Sequence, residues 1–351
     1  METDSRKIAL KFFFTACLLS AIYFFVAESM MPTVEVDGGY RQVMGTFARI
    51  VAVTKNPKRA KRCIEAGFNE MKRIEDMMSY FKPDSELSKV NREAFARPVK
   101  VSRELFEILQ TSVDYSQLSN GAFDITVGPL VDLWRKAGEV NAMPDENVIA
   151  AAKSRVGFEK LILDANTMTV RFAVEGMRLD LGGIAKGYSV DKVVEIMKHK
   201  GAIGGMVDSG GNIRCFGKPA HKDAWLVGVQ DPNIADSVER TENSQPLMVL
   251  KLDEMAVATS GDYRRFVKAG GKKVSHIIDT NTAAGANKLA GDTIIAPTAI
   301  EADALSTAVN VLGPEKGLEL VEHVLDVEAI LITPAPEYLV IKSKGAGAYI
   351  Q

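Results

Sequence analysis

LDLGGIAKGYSVDKVVEIMKHKGAIGGMVDSGGN, Leu179 to Asn212, carries the pattern on which the fold turns. A short run ending at Leu181 reads as a strand that stops at Gly182–Gly183. Tyr188 to Lys200 has helical spacing and Gly201 ends it. The next strand runs into the glycine pair Gly210–Gly211. Alone, that order is compatible with a parallel sheet, but the flanking elements argue otherwise. Upstream, Gln42–Thr54 is an extended segment broken at Gly45. Pro57 opens a helix whose apolar positions Ile64, Phe68, Met71, Ile74 and Met78 recur at helical spacing. Ser102 caps a second helix and Asp145 starts a third. Lys160–Asp164 and Thr169–Val174 flank a turn at Ala165–Asn166, a hairpin pattern. Downstream, Trp225–Gln230, Leu247–Leu252 and Val274–Asp279 read as strands, and Ala299–Leu312 reads as a helix. Val327–Lys342 forms two strands around Pro334 and Pro336, and polar Asp231–Pro246 is a surface loop. Helices interleaved with hairpins predict an α+β fold with mixed or antiparallel sheets and packed helices, not a doubly wound parallel sheet.

The bulk numbers exclude classes without naming one. The 351 residues hold 43 Lys+Arg against 45 Asp+Glu, a net charge of −2. Nothing in that balance points to nucleic acid as partner. A mean hydropathy of +0.00 excludes a multi-span membrane protein. Cys17, Cys63 and Cys215 are too few for a disulfide scaffold, and no CxxC metal site occurs.

The averages hide one asymmetry. Arg6, Lys7 and Lys11 precede or interrupt an apolar run from Ile8 to Ala27 that is apolar on every face. A helix over that run would cross most of a bilayer core. An uncleaved anchor explains its length best. A lipid on Cys17 is the second reading, and a cleavable signal lacks a clean small-x-small site near Ala27. All three place Met31 onward outside the cytoplasmic membrane. The expected division is an anchor or signal over 1–30 and one catalytic unit over 31–351. In that compartment two free buried thiols at Cys63 and Cys215 are favoured over a disulfide.

Four local patterns could carry chemistry. In VDSGGN (Val207–Asn212) glycine amides suit a phosphate, but a tight hairpin turn is the better local explanation. LDLGGIAKG (Leu179–Gly187) puts glycines and Lys186 at a helix N-terminus, where amides and the dipole favour anions. In EADALST (Glu301–Thr307), Asp303 and Thr307 are four apart on one helix face and offer hard oxygen ligands for Mg²⁺. Spacing alone favours an ordinary acidic first turn there. In SHIID (Ser275–Asp279), His276 and Asp279 would lie on opposite faces of a regular strand. Neither a GxSxG elbow nor an HExxH motif occurs.

Taken in order, these pieces and four more resemble the FAD:protein FMN transferase family, the ApbE-type flavin transferases formerly described as thiamine-biosynthesis lipoproteins. The further motifs are MGT (Met44–Thr46), MSYFKPDSELSKVN (Met78–Asn91), GAFDITVGPLVDLW (Gly121–Trp134) and ATSGDYRRF (Ala258–Phe266), and the EADALST pattern extends to APTAIEADALSTAVNVLG (Ala296–Gly313). The resemblance implies an enzyme outside the cytoplasmic membrane that binds FAD and Mg²⁺. It moves FMN to a threonine or serine hydroxyl of a partner protein, a subunit of a membrane redox complex, and releases AMP. Carried across motif by motif, the flavin site comprises Met44, Phe81, Ala122, Phe123, Asp124, Asp180, Lys186 and Ile277. Asp303 and Thr307 hold the metal, with a backbone oxygen near Gly183 to Ala185. His276 is the implied base for the acceptor hydroxyl, with Asp180 or Asp279 able to share that role. Phe81 and Phe123 are expected to stack on the flavin.

One departure bears on this site. Where the family continues after HIID with Pro, a basic residue, Thr and Gly, this chain reads Thr280-Asn281-Thr282-Ala283-Ala284-Gly285. Substrate contacts of that loop, and with them the choice of acceptor, are therefore open. The alternatives are a Mg²⁺-dependent FAD pyrophosphatase giving FMN and AMP, and a non-catalytic exported FAD-binding protein.

Overall fold

A computed structural model of the chain describes residues 13–15, 20, 32–232, 245–261 and 266–351. The anchor assigned to residues 1–30 lies almost wholly outside the described residues. So do most of the polar loop 231–246 and residues 262–265 of ATSGDYRRF. Among the described residues no helix is long and apolar enough to cross a membrane.

The chain begins with β1 (Val34–Val43), β2 (Thr46–Thr54), α1 (Pro57–Met78), α2 (Glu86–Glu93), β3 (Val99–Lys100) and α3 (Arg103–Leu118). It continues through α4 (Gly128–Val140), α5 (Glu146–Lys153), β4 (Leu161–Asp164), β5 (Thr169–Phe172) and α6 (Ala185–His199). Seven strands follow: β6 (Gly204–Ser209), β7 (Asn212–Phe216), β8 (Trp225–Val229), β9 (Met248–Leu252), β10 (Ala256–Gly261), β11 (Phe266–Ala269) and β12 (Lys272–Ser275). The last part comprises β13 (Ile278–Asp279), β14 (Ala284–Gly285), β15 (Gly291–Ala296), α7 (Ala299–Leu312), α8 (Pro314–Glu322), β16 (Glu328–Ile332) and β17 (Val340–Lys342).

The α+β expectation holds. The main sheet has the order β1-β2-β6-β7-β10-β15-β16-β17, and every neighbouring pair in it is antiparallel. Along β6 side chains alternate between faces, as the strand period requires. Val207 joins Ile50, Phe68 and Val193 under α1 and α6, while Met206 packs with Val51, Trp225 and Val227 on the other side. Cys63 and Cys215 are buried in these two separate clusters, and both are free thiols. A third cluster joins α3 and the GAFD loop to α6 and α7, and that cluster underlies the candidate site.

Local physics explains the helices that matter. The Asn56 side chain accepts from Lys58 N at 2.8 Å and Pro57 fills the first helical position. The Ser102 hydroxyl accepts from Leu105 N at 3.2 Å, as its position predicts. Asp145 precedes α5 but makes no side-chain cap. α7 has the bounds read from sequence, with the Thr298 hydroxyl accepting from Glu301 N.

Behind α7, β15 supplies the fully buried Asp292. It accepts from Ser306 Oγ at 2.6 Å and Asn310 Nδ2 at 2.9 Å. Burial pushes its carboxyl up to about 7, against the pull of those two bonds. A raised folded pKa means that stability from this group is fully present below the unfolded value, about pH 4. It is lost as pH rises toward 7, because the unfolded chain releases the proton first. Asp292→Asn should therefore flatten the dependence of the melting temperature on pH between those limits. An unchanged pH profile would show that Asp292 does not titrate there.

Candidate active site

The site is built where the first turn of α6 meets α7. Gly187 lies so close to α7 that a Cβ placed on it would stand 2.2 Å from the Ala299 carbonyl oxygen and 2.8 Å from Asp303 Cβ. Only glycine allows this approach. It lets Gly187 N donate to Asp303 Oδ2 at 2.9 Å, so the α7 carboxylate caps the N-terminus of α6. Lys186 Nζ sits 3.2 Å from Asp303 Oδ1 and donates to the Gly182 carbonyl at 2.9 Å. Asp303 is buried, whereas the lysine side chain keeps 24% exposure. Thr307 follows one turn later, and a Cβ on Gly183 would fall 2.8 Å from Thr307 Oγ1. Asp303, Thr307, Gly183, Ala185 and Lys186 are thus brought together.

Two sequence expectations need correction here. Leu179–Leu181 does not form a strand; its region makes only an isolated bridge, Val127 with Arg178. The reason is Asn91, whose side-chain amide takes both backbone groups of Leu179, at 2.7 and 2.9 Å, in place of a strand partner. α6 also begins at Ala185, earlier than its apolar periodicity suggests, so Lys186 and Gly187 lie in its first turn. In VDSGGN the hairpin reading is the one observed. Gly210 and Gly211 have φ of 62° and 94°, as a two-residue turn between twisted strands demands. Gly210 N donates to Phe47 O and Gly211 N to Asp208 Oδ1, which leaves neither amide for a phosphate.

The predicted flavin residues divide into an inner and an outer group. Ala122, Phe123 and Ile277 share one buried cluster with α7, and Ala185 of the predicted metal set lies in it too. Phe123 is 2% exposed, set edge-on to Tyr115 and against Gly183, so its ring faces are spent on packing rather than open for stacking. Phe81 is 71% exposed, edge-on to Tyr80 and 5.7 Å from the Arg135 guanidinium, and it does present an open face. Asp124 is a positioning residue. Its carboxylate accepts from Thr126 N, Thr126 Oγ1 and Phe158 N at 2.7–2.9 Å. Burial nevertheless raises it to about 6. Burial also raises Asp180, opposed by the Gly182 N–H that its Oδ1 accepts at 2.8 Å. Met44 turns the β1–β2 hairpin with φ of 53°, and its N–H is held by Glu75 Oε1 at 3.1 Å.

SHIID is not one strand. β12 pairs with β11, β13 pairs with β14, and His276–Ile277 form the break between them. Ile277 N is taken by Ser275 Oγ and Ile277 O by Ala286 N, which turns the chain out of the first ladder. His276 is exposed at this break and Asp279 is buried beyond it. The altered loop is a tight hairpin. Asp279 O accepts from Ala283 N at 2.7 Å, Trp134 Nε1 donates to Ala283 O at 2.8 Å, and Thr280 Oγ1 donates to Gly121 O at 3.1 Å. The Thr280 bond ties the turn after Asp279 to Gly121 at the start of the GAFD loop.

Several positioning residues escaped the sequence reading. Asp191 accepts from Ala299 N and Ile300 N at 2.9 Å each and from Arg214 at 2.6 Å, so it caps α7 from α6. Asp132 gathers Tyr80 Oη, Arg135 and Arg178 within 2.8 Å. This cluster borders a cleft of about 710 Å³ whose walls include Phe81, Asn91, Arg92 and Phe95. Only the presence of Asn91, Asp132 and Asp191 inside motifs hinted at them. Among the described residues no three His, Cys, Asp or Glu side chains gather as a metal cage. A cation at Asp303 would therefore use a hydroxyl, backbone oxygens, water or substrate oxygens.

The sequence profile of the ApbE family matches residues 44–331, from the Met44 turn to β16. A FAD:protein FMN transferase of Treponema pallidum (strain Nichols) is 33% identical over 307 residues, covering 83% of each chain. One from Escherichia coli (strain K12) is 31% identical over 322 residues, covering 89% of this chain and 90% of its own. Among solved structures, the ApbE protein of Thermotoga maritima superposes with a TM-score of 0.79 at 28% identity, covering 91% of this chain and 99% of its own. The flavin transferase ApbE of Vibrio cholerae gives 0.77 at 26%, covering 91% and 100%. Motif order, glycine contacts and superposition agree, and the chain belongs to the ApbE family of FAD:protein FMN transferases.

Proposed function

We propose that the protein transfers FMN from FAD to a threonine or serine hydroxyl of a partner protein, with release of AMP and a requirement for Mg²⁺. The observation that carries this reading is the corner formed by Asp303, Thr307 and Gly183, with Lys186 beside it. The donor set fits the ion: a carboxylate already attracting a cation, a hydroxyl one turn away, and backbone oxygens at Gly183–Ala185. Mg²⁺ bound by Asp303, Thr307 and that backbone would neutralise pyrophosphate charge and ease departure of AMP.

The chain's own residues supply the rest. The first turn of α6 and Lys186 offer positive potential to the pyrophosphate. Phe81 offers an open aromatic face to the flavin ring. Exposed His276, at the break before β13, is reachable by an acceptor side chain and takes the hydroxyl proton as oxygen attacks phosphorus. Asp180, raised by burial, is the second candidate for that proton. We further propose that residues 31–351 act as one unit outside the cytoplasmic membrane, tethered through residues 1–30 by an anchor or a lipid on Cys17. The acceptor would then be a subunit of a membrane redox complex. The compartment and tether rest on the N-terminal sequence pattern, and the acceptor on the family resemblance.

The test is incubation of the full-length chain with FAD, Mg²⁺ and a candidate acceptor, with mass spectrometry of the acceptor. Covalent FMN on Thr or Ser, and AMP release that requires the acceptor, are expected. AMP release independent of acceptor would favour the pyrophosphatase reading. His276→Ala should lower the transfer rate about a hundredfold with FAD affinity unchanged. An unaltered rate would remove His276 from the chemistry.

A further inference from the structure

Lys186, assigned above to the pyrophosphate, is tied in the structure to the Asp303 carboxylate. The two oxygens of Asp303 are engaged differently. Oδ2 is fixed by the backbone N–H of Gly187, a bond that cannot open without moving α6 against α7. The Lys186 ammonium lies nearest Oδ1, at 3.2 Å, with Oδ2 at 3.5 Å, and it rides on a flexible four-carbon stem. The lysine is partly open to solvent while the carboxylate is not. Thr307 Oγ1, one turn along α7 and beside Gly183, is the other donor a metal ion would share with this carboxylate. A compact monovalent cation therefore stands where the donor set favours a divalent one.

We propose that Lys186 and a divalent cation are alternative occupants of the Oδ1 side of Asp303. Metal uptake is then an exchange: the ion takes Oδ1 and the ammonium swings out toward the mouth of the site, where an anionic substrate group can meet it. The inference rests on the reading of Asp303 and Thr307 as metal ligands. Metal affinity is tuned by the lysine, and a charged donor is delivered to the substrate side only once the metal is in place.

The experiment uses Mg²⁺ alone, without FAD, on the full-length chain. Lys186 is labelled with an amine-reactive acylating reagent and quantified by peptide mass spectrometry, with Lys192 as internal control. Exchange predicts that Mg²⁺ raises labelling of Lys186 and leaves Lys192 unchanged. By calorimetry, Lys186→Met should bind Mg²⁺ about tenfold tighter, the scale of losing one partly exposed competing charge. Loss of charge repulsion alone would also tighten binding in that variant, so the labelling of the wild type decides. Measurable Mg²⁺ binding with Lys186 labelling unchanged or reduced overturns the exchange and leaves the metal site standing. Absence of Mg²⁺ binding in both proteins overturns the metal site itself and the exchange with it.

Discussion

Replacing Asp303 by alanine should lower the rate of FMN transfer about a thousandfold, the scale of removing a principal electrostatic contributor to phosphoryl transfer. The residue does two jobs, and the variants separate them. Its Oδ2 caps α6 through Gly187 N, and its charge attracts Lys186 at Oδ1. Alanine removes both and leaves a buried N–H without a partner, at a cost of about 1–3 kcal/mol in stability. Asp303→Asn keeps an acceptor for Gly187 N and removes only the charge. It should melt close to the wild type yet lose most of the activity. High Mg²⁺ should restore part of the loss by mass action. The measurement is covalent flavin on an acceptor as a function of time and Mg²⁺. Wild-type rates in Asp303→Asn would show that this carboxylate serves the fold alone.

The second large effect is expected from a single methyl group. Gly187→Ala places a Cβ 2.2 Å from the Ala299 carbonyl oxygen and 2.6 Å from its carbon, both backbone atoms of α7 that no rotamer change can move. The helices must separate, and overpacking of this kind costs about 3 kcal/mol or more. The same displacement stretches the bond from the residue 187 amide to Asp303 and spoils the register of Lys186, Asp303 and Thr307. Gly187→Ala should therefore melt well below the wild type and lose Mg²⁺ and FAD affinity together. Gly347→Ala is the control, because a Cβ there meets nothing within 4 Å. A Gly187→Ala protein with unchanged melting temperature and affinity would mean that the α6–α7 contact is looser than the geometry implies.

How much was legible depended on the range of the interactions. The α1 stripe, the Pro57 start and the bounds of α7 follow from periodicity and local helix signals within a few residues, and all are observed. The hairpin at Gly210–Gly211 likewise needs only local backbone sterics. The strand break at His276–Ile277 was not readable, because it depends on the Ser275 hydroxyl taking Ile277 N and on Ala286 taking its carbonyl. Nor was the loss of the strand at Leu179, since its partner Asn91 lies 88 positions away. Spacing in EADALST favoured an ordinary acidic first turn, and the ordered motifs alone moved Asp303 and Thr307 toward a metal.

By itself the sequence determined the residue chemistry, the local elements and, through eight motifs in order, the family to which the chain belongs. Charge, hydroxyl and glycine are properties of single positions, and helical or strand periodicity is a property of short windows. The tertiary structure decided what each group is free to do. It buried the ring of Phe123 and left Phe81 open. It spent the Asp124 carboxylate on Thr126 and Phe158. It set Asp303 between Gly187 and Lys186, partners 116 and 117 positions away. Such pairings depend on how α6 and α7 pack, with Gly187 permitting the approach, and no local window contains both sides of that contact.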